Sequence, residues 1–147
     1  RIAEARVLDV CAGTGAVGME AISRGARHVT FVESDRRAVA LIESNLRRCG
    51  VTQGYTVARR DARATTTPVP GGPFDIVFID PPYAQAALEP WLDMAAAQAT
   101  TDGLVVLEHA ARIEPPADVP GLALTRRLRQ GDSALAFYAP VAVRPEA

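Results

Sequence analysis

Four consecutive residues, Asp80-Pro81-Pro82-Tyr83, combine the groups needed to hold an amine for transfer. An exocyclic amine on a nucleic-acid base is a poor nucleophile, because its lone pair is delocalised into the ring. The Asp80 carboxylate and the Pro81 carbonyl can each accept one of its N–H hydrogens. That pulls the nitrogen toward tetrahedral geometry and aims its lone pair at an incoming methyl. The two prolines stiffen the turn that points both acceptors at one place. Tyr83 offers a flat face for the base, a stacking contact worth roughly 1–3 kcal/mol. A base held in this way must first be unstacked or flipped out of its helix. The plain alternative is a Pro-rich turn with a buried, capping Asp.

A second constellation supplies a place for the group donor. Gly13-Thr14-Gly15-Ala16-Val17-Gly18 follows the apolar run Val7-Leu8-Asp9-Val10 and opens a helical stretch. Glycines there let the backbone turn tightly and approach a ligand closely. The helix N-terminus beyond offers free N–H groups to a carboxylate or phosphate. Glu33 closes the next strand-like run, where a carboxylate can accept both ribose hydroxyl protons of a nucleoside. Gly13, Gly15 and Glu33 alone suit a nicotinamide dinucleotide as well as S-adenosylmethionine. Asp9 tilts the balance, since it can reach the loop or a methionine ammonium through water. Beyond Glu33 there is also no second nucleotide half and no hydride-transfer site. Asp61 is a candidate contact to the adenine amino group, with Ala62 donating its backbone N–H to the ring. Asp61 reads equally well as the cap of a short helix or turn.

These groups need a scaffold, and the hydrophobic pattern supplies one. Val7–Val10, His28–Val32, Tyr55–Ala58, Phe74–Ile79 and Gly103–Glu108 read as strands. Ala16–Arg24 and Arg36–Cys49 read as helices, the second capped by Ser34 or Asp35. Leu88, Trp91, Leu92 and Ala95 give a third helical stripe. Thr65–Pro73 and Pro115–Pro120 read as loops. Leu122–Leu128 and Ala134–Tyr138, joined through Gly131-Asp132, read as a terminal antiparallel pair. Strands alternating with helices predict an α/β fold on a mostly parallel sheet. Asp80 then falls at the carboxyl end of a central strand, where open α/β sheets bind ligands.

Composition sets the remaining bounds. The chain has 147 residues, 48% of them hydrophobic, which suits one domain spanning 1–147 with a real core. A net charge of −1 advertises no overall basic field for nucleic acid. All sixteen basic residues are Arg, the better residue for bidentate phosphate contacts. Arg59, Arg60, Arg63, Arg126, Arg127 and Arg129 are candidates for such contacts, or solvated charges. Cys11 and Cys49 are expected to be buried free thiols in a reducing cytosol. Two His and two Cys, well scattered, give no metal-ligand spacing, so no metal is expected. The apolar runs are too short for a membrane span. No signal peptide and no initiator Met are present. A chain trimmed at its N-terminus is therefore expected, and a monomer, because no long exposed apolar stripe is evident.

The residues also carry a resemblance. Val7 to Ala21, Ser23-Arg24-Gly25-Ala26, Val32-Glu33, Asn45-Leu46 and Phe74 to Tyr83 resemble motifs of the bacterial 16S ribosomal RNA guanine-N2 methyltransferases. The similarity runs from about Arg6 to Tyr138. It implies a seven-stranded class I S-adenosylmethionine-dependent methyltransferase fold, Rossmann-like, with a C-terminal antiparallel hairpin. It implies a cytoplasmic enzyme that methylates one guanine N2 of 16S rRNA, within a partly assembled small ribosomal subunit, and releases S-adenosylhomocysteine. Gly13, Gly15 and Glu33 would bind the cofactor, with Asp61, and Asp80 to Tyr83 would hold the guanine. The family usually adds a basic N-terminal segment that helps grip RNA, and this sequence does not contain it. A DNA adenine-N6 methyltransferase is the rival with the same chemistry, but no stretch is long enough for a target-recognition region. A nicotinamide-dependent oxidoreductase leaves Asp80–Tyr83 unexplained. A non-catalytic cofactor-binding module is the third alternative.

Overall fold

The computed structural model describes residues 1–64, 67–82 and 87–142. Its elements run β1 (Arg6–Val10), α1 (Ala16–Ser23), β2 (His28–Glu33), α2 (Arg36–Arg48) and β3 (Tyr55–Arg59). A 3-10 turn (Ala62–Ala64) follows, then β4 (Phe74–Ile79), α3 (Glu89–Gln98) and β5 (Ala99–Ala110). The chain closes with β6 (Asp118–Val119), β7 (Leu122–Gln130) and β8 (Ser133–Pro140). One sheet orders them β3-β2-β1-β4-β5-β8-β7-β6. The first five are parallel. β8 runs antiparallel to β5 and β7, and β6 antiparallel to β7. The strand order reverses beside β1, so the carboxyl ends of β1 and β4 open onto one crevice.

Each element follows from local chemistry. β1 and β2 are buried on both faces, as expected of parallel strands covered by helices. α2 buries Ile42 and Leu46 and leaves Arg36, Arg37, Arg47 and Arg48 in solvent. The Asp35 carboxylate caps it by accepting the Arg37 N–H at 3.3 Å. Arg47 and Arg48 in its last turn sit favourably against the helix dipole. Gly18 is a packing requirement, because a Cβ there would stand 2.3 Å from the Phe31 ring. On one face of the sheet, Leu8, Val10, Val77, Ile79 and Leu107 form a core with Trp91, Leu92 and Ala95 of α3. On the other, Val7, Val29 and Phe31 pack with Ala21 of α1 and with Ile42 and Leu46 of α2.

Four expectations need correction. The sheet has eight strands where the resemblance implies seven. The extra strand is the two-residue β6, which pairs Asp118 with Ala123 and Val119 with Leu122 inside the stretch read as loop. Two residues flanked by proline leave no alternation to read. β5 starts at Ala99, not Gly103, and an irregularity between Phe74 and Ile76 absorbs the added residues. Cys49 is exposed at the end of α2, while Cys11 is partly buried. Finally, an apolar groove of about 450 Å³ opens beside α1, lined by Val7, Val17, Ile76, Phe78, Leu104 and Val106, among others. Its residues come from the first two positions, a helix and three strands, so no single segment shows the stripe. No helix among the described residues is long and apolar enough to cross a membrane.

Candidate functional site

The Gly-loop is held from three sides. Gly13 and Gly15 take φ of 57° and 83°, the left-handed region that favours glycine. The Gly15 N–H donates to the Ala12 carbonyl at 2.7 Å, closing the turn. The Asn45 amide, projecting from α2, donates to the Thr14 carbonyl at 3.0 Å. Glu33, at the end of β2, accepts the Gly13 N–H on Oε1 at 3.1 Å and the Asp35 N–H on Oε2 at 3.0 Å. Each carboxylate oxygen keeps a further lone pair, so two hydroxyls can still be accepted.

Asp9 lies deeper, 2% exposed, and its Oδ2 accepts the Gly18 N–H in the first turn of α1 at 3.0 Å. Burial pushes its carboxyl up to about 7; the Gly18 N–H opposes that rise, and Asp80 and Glu33 add to it. Asp61 caps the 3-10 turn, accepting the Arg63 N–H at 3.0 Å and the Arg63 guanidinium at 3.2 Å. Hydrogen bonds from the Arg63 side chain hold it below the usual carboxylate range. The turn-capping reading of Asp61 is thus realised, and the residue still borders the crevice.

That crevice is a cleft of about 260 Å³ with Cys11, Glu33, Asp61, Ala62, Asp80 and Trp91 on its walls. Burial, with the surrounding carboxylates, pushes the Cys11 thiol up to about 12, so it stays protonated. The Trp91 indole N–H is buried without a partner among the described residues. The carboxylates of Glu33, Asp61 and Asp80 and the indole donor of Trp91 fit an adenosine carrying a cationic sulfonium.

Asp80 continues β4 at its carboxyl end, its N–H donating to the Val10 carbonyl at 3.3 Å. Burial, then the charge of Glu108, pushes its carboxyl up to about 6. Asp80 and Pro82 belong to two walls at once. One side faces the cleft just described; the other closes a recess of about 40 Å³ lined with Pro81, Leu88, Glu108, His109 and Ile113. Tyr83 lies outside the described residues. The structure therefore brings Glu33, Asp61, Ala62 and Asp80 to one crevice, with Asp9 behind the Gly-loop and Pro81 in the adjoining recess.

Glu108 and His109 were not singled out from the sequence. The signal was present, since a charged residue ends the buried run Val105-Val106-Leu107 at a strand's carboxyl end. His109 Nδ1 donates to the Ala110 carbonyl at 2.8 Å, and Nε2 is buried without a partner among the described residues. The Arg candidates are mostly engaged within the chain. Arg63 stacks on Trp91 at 5.1 Å and Arg126 on Phe137 at 5.6 Å. Arg127 pairs with Glu114, Arg129 donates to the Gly131 carbonyl, and Arg59 to the Ser34 carbonyl. Arg60 borders the larger cleft. Among the described residues no group of three His, Cys, Asp or Glu could hold a metal.

Comparison with known proteins places the chain in a family. YlbH of Bacillus subtilis, provisionally named an rRNA methyltransferase, is 35% identical over 139 residues, 90% of this chain and 74% of its own length. Ribosomal RNA small subunit methyltransferase D of Haemophilus influenzae is 34% identical over 84 residues, 56% of this chain and 44% of its own. The solved structure of the Escherichia coli protein YhhF, provisionally named a methyltransferase, superposes with a TM-score of 0.78 at 29% identity. It covers 96% of this chain and 78% of that one. The fold is that of the class I methyltransferases, and the chain belongs to the family described as Conserved hypothetical protein 95, whose model matches residues 1–139.

Proposed function

We propose that residues 1–147 act as one catalytic domain that transfers a methyl group from S-adenosylmethionine to the exocyclic N2 of a guanine in 16S rRNA. One observation carries this reading: Asp80 and Pro82 line both the larger cleft and the recess. A nucleophile held there lies beside whatever fills the cleft. The names of the relatives support ribosomal RNA as the substrate.

The chain's own groups have distinct tasks. Glu33 accepts the ribose hydroxyls, Asp61 and the Ala62 N–H meet the adenine, and Asp9 keeps the Gly-loop and the start of α1 in register. When bound, S-adenosylmethionine supplies a methyl on a cationic sulfur, and the sulfur keeps the C–S electron pair as S-adenosylhomocysteine leaves. Asp80 and the Pro81 carbonyl accept the two N2 hydrogens and free the nitrogen lone pair to form the new N–C bond. The N2 proton passes to Asp80 or to water. Tyr83 stacks on the base. The acceptor is guanine in a partly assembled small subunit, and the enzyme works as a cytoplasmic monomer without a metal. DNA adenine N6 is the second reading, because Asp-Pro-Pro-Tyr suits that amine as well.

The test offers small ribosomal subunits from a methylation-deficient strain, labelled S-adenosylmethionine and the protein, followed by mass mapping of the RNA. Label on one guanine N2 is expected. Label on adenine, or on protein, overturns the assignment. Calorimetry should give micromolar-range binding of S-adenosylmethionine and none of NAD; the reverse result would make the chain a nicotinamide enzyme.

A further inference from the structure

Asp80 does not stand alone at the end of the sheet. β4 and β5 run parallel in a register that sets Ile79 beside Leu107, so the next pair along is Asp80 and Glu108. Both residues line the recess behind the acceptor turn. Neither carboxylate accepts a hydrogen bond from any described residue, and the proximity is felt, since the Glu108 charge acts on Asp80. Two carboxylates side by side repel each other in the free protein, and a ligand that presents adjacent donors relieves that repulsion. The buried His109 Nε2, without a partner among the described residues, lies on the same wall. The recess takes little more than a water-sized group, so it admits an edge of a base while the ring stays at the mouth.

Among the purine edges, guanine alone presents a ring N–H beside its exocyclic amine. Adenine carries a lone pair on N1 and meets a carboxylate with repulsion. We infer that Glu108 is a specificity residue that accepts the N1–H of the target guanine while Asp80 and Pro81 hold its N2 amine. The inference rests on the proposed reading of the site as a guanine-N2 methyltransferase. It gives a structural reason for guanine over adenine that the Asp-Pro-Pro-Tyr turn, by its own chemistry, does not contain.

The test substitutes 2-aminopurine for the target guanine in reconstituted small-subunit RNA. This base keeps the amine to be methylated but carries a lone pair at N1. With the wild-type protein, kcat/KM should favour guanine by about 10- to 100-fold, the range of a hydrogen bond to a charged group. Glu108→Gln, whose amide can donate to that lone pair, should narrow the preference to within about threefold. Glu108→Ala should narrow it as well, chiefly by slowing guanine. S-adenosylmethionine affinity, read by calorimetry, should stay unchanged in both variants and reports that they are folded. A wild-type protein that methylates both bases equally overturns the inference without any variant. So does a preference that survives in whichever variant binds cofactor normally. A wild-type protein that methylates neither base overturns the underlying reading together with the inference, whereas methylation of guanine with an unchanged ratio removes Glu108 alone.

Discussion

The two ends of the crevice lie on neighbouring strands and are held in opposite ways. At the cofactor end the carboxylates already have partners: Glu33 accepts two backbone N–H groups and Asp9 accepts one. At the acceptor end Asp80 and Glu108 accept none among the described residues, although they line the same recess. The first arrangement builds a rigid grip before any ligand arrives, so little ordering remains for binding. The second leaves two neighbouring carboxylates free to accept from a substrate. Two like charges held together in this way favour what binds and reacts there over the free protein.

The difference is most sharply tested at its acceptor end. Asp80→Ala should lower methyl transfer by about 10³-fold, within the range for removing a group that positions or takes a proton. S-adenosylmethionine affinity should hardly change, as read by calorimetry on the same preparation. Full activity in this variant would remove Asp80 from the mechanism. The mirror experiment is Glu33→Ala. It removes the acceptors for the Gly13 and Asp35 N–H groups together with those offered to the ribose. Cofactor affinity should weaken about 10- to 100-fold, while turnover at saturating cofactor stays near wild type. An equal loss of turnover at saturation would mean that the two ends are not separable.

How much of this was readable beforehand depended on the range of the information. The Gly-loop, Glu33 and Asp80 are local: each ends a strand whose apolar run is visible, and each is followed by residues that cannot extend it. The capping of α2 by Asp35 is local in the same sense. Glu108 was legible as the charged end of a buried run but not as the neighbour of Asp80, because that depends on β5 lying beside β4 in one register. A parallel pair is joined through a crossover, so the partners are far apart in sequence and leave no spacing signal. The apolar groove beside α1 was hidden for a related reason, being assembled from residues of separate strands. The Arg residues show the reverse failure. Sequence marks their charge but not their intramolecular partners, and Arg63 and Arg127 both have carboxylates beside them.

Asp9 offers a test of the grip that needs no substrate. Its folded carboxyl is raised from 3.8 to about 7. Between those values the folded protein holds a proton that the unfolded chain has released, so stability falls as pH rises from about 4 to 7 and then levels off. Asp9→Asn removes the charge and keeps an amide oxygen for the Gly18 N–H. Denaturant melts should therefore show the variant more stable by about 4 kcal/mol at pH 8, and nearly equal to wild type at pH 4. A variant less stable at pH 8 would show that the charged form is needed to hold α1.

The smallest effect separates the two acceptor carboxylates. Methyl transfer needs Asp80 ionised, since a protonated carboxyl accepts less well, so kcat/KM should rise with pH through about 6. Part of that elevation is the neighbouring charge of Glu108, burial being the larger cause. Glu108→Gln removes the charge and keeps the volume, so the inflection should move to lower pH by less than one unit. Asp9 titrates nearby and could blur the profile, which is why the comparison belongs in an Asp9→Asn background. Asp9 feels Asp80 and Glu33 rather than Glu108, so its removal leaves the predicted shift intact. An inflection that stays in place would mean that the two carboxylates share a recess without sharing an electrostatic environment. In that case the carboxylate pair that distinguishes the acceptor end from the cofactor end would reduce to Asp80 alone.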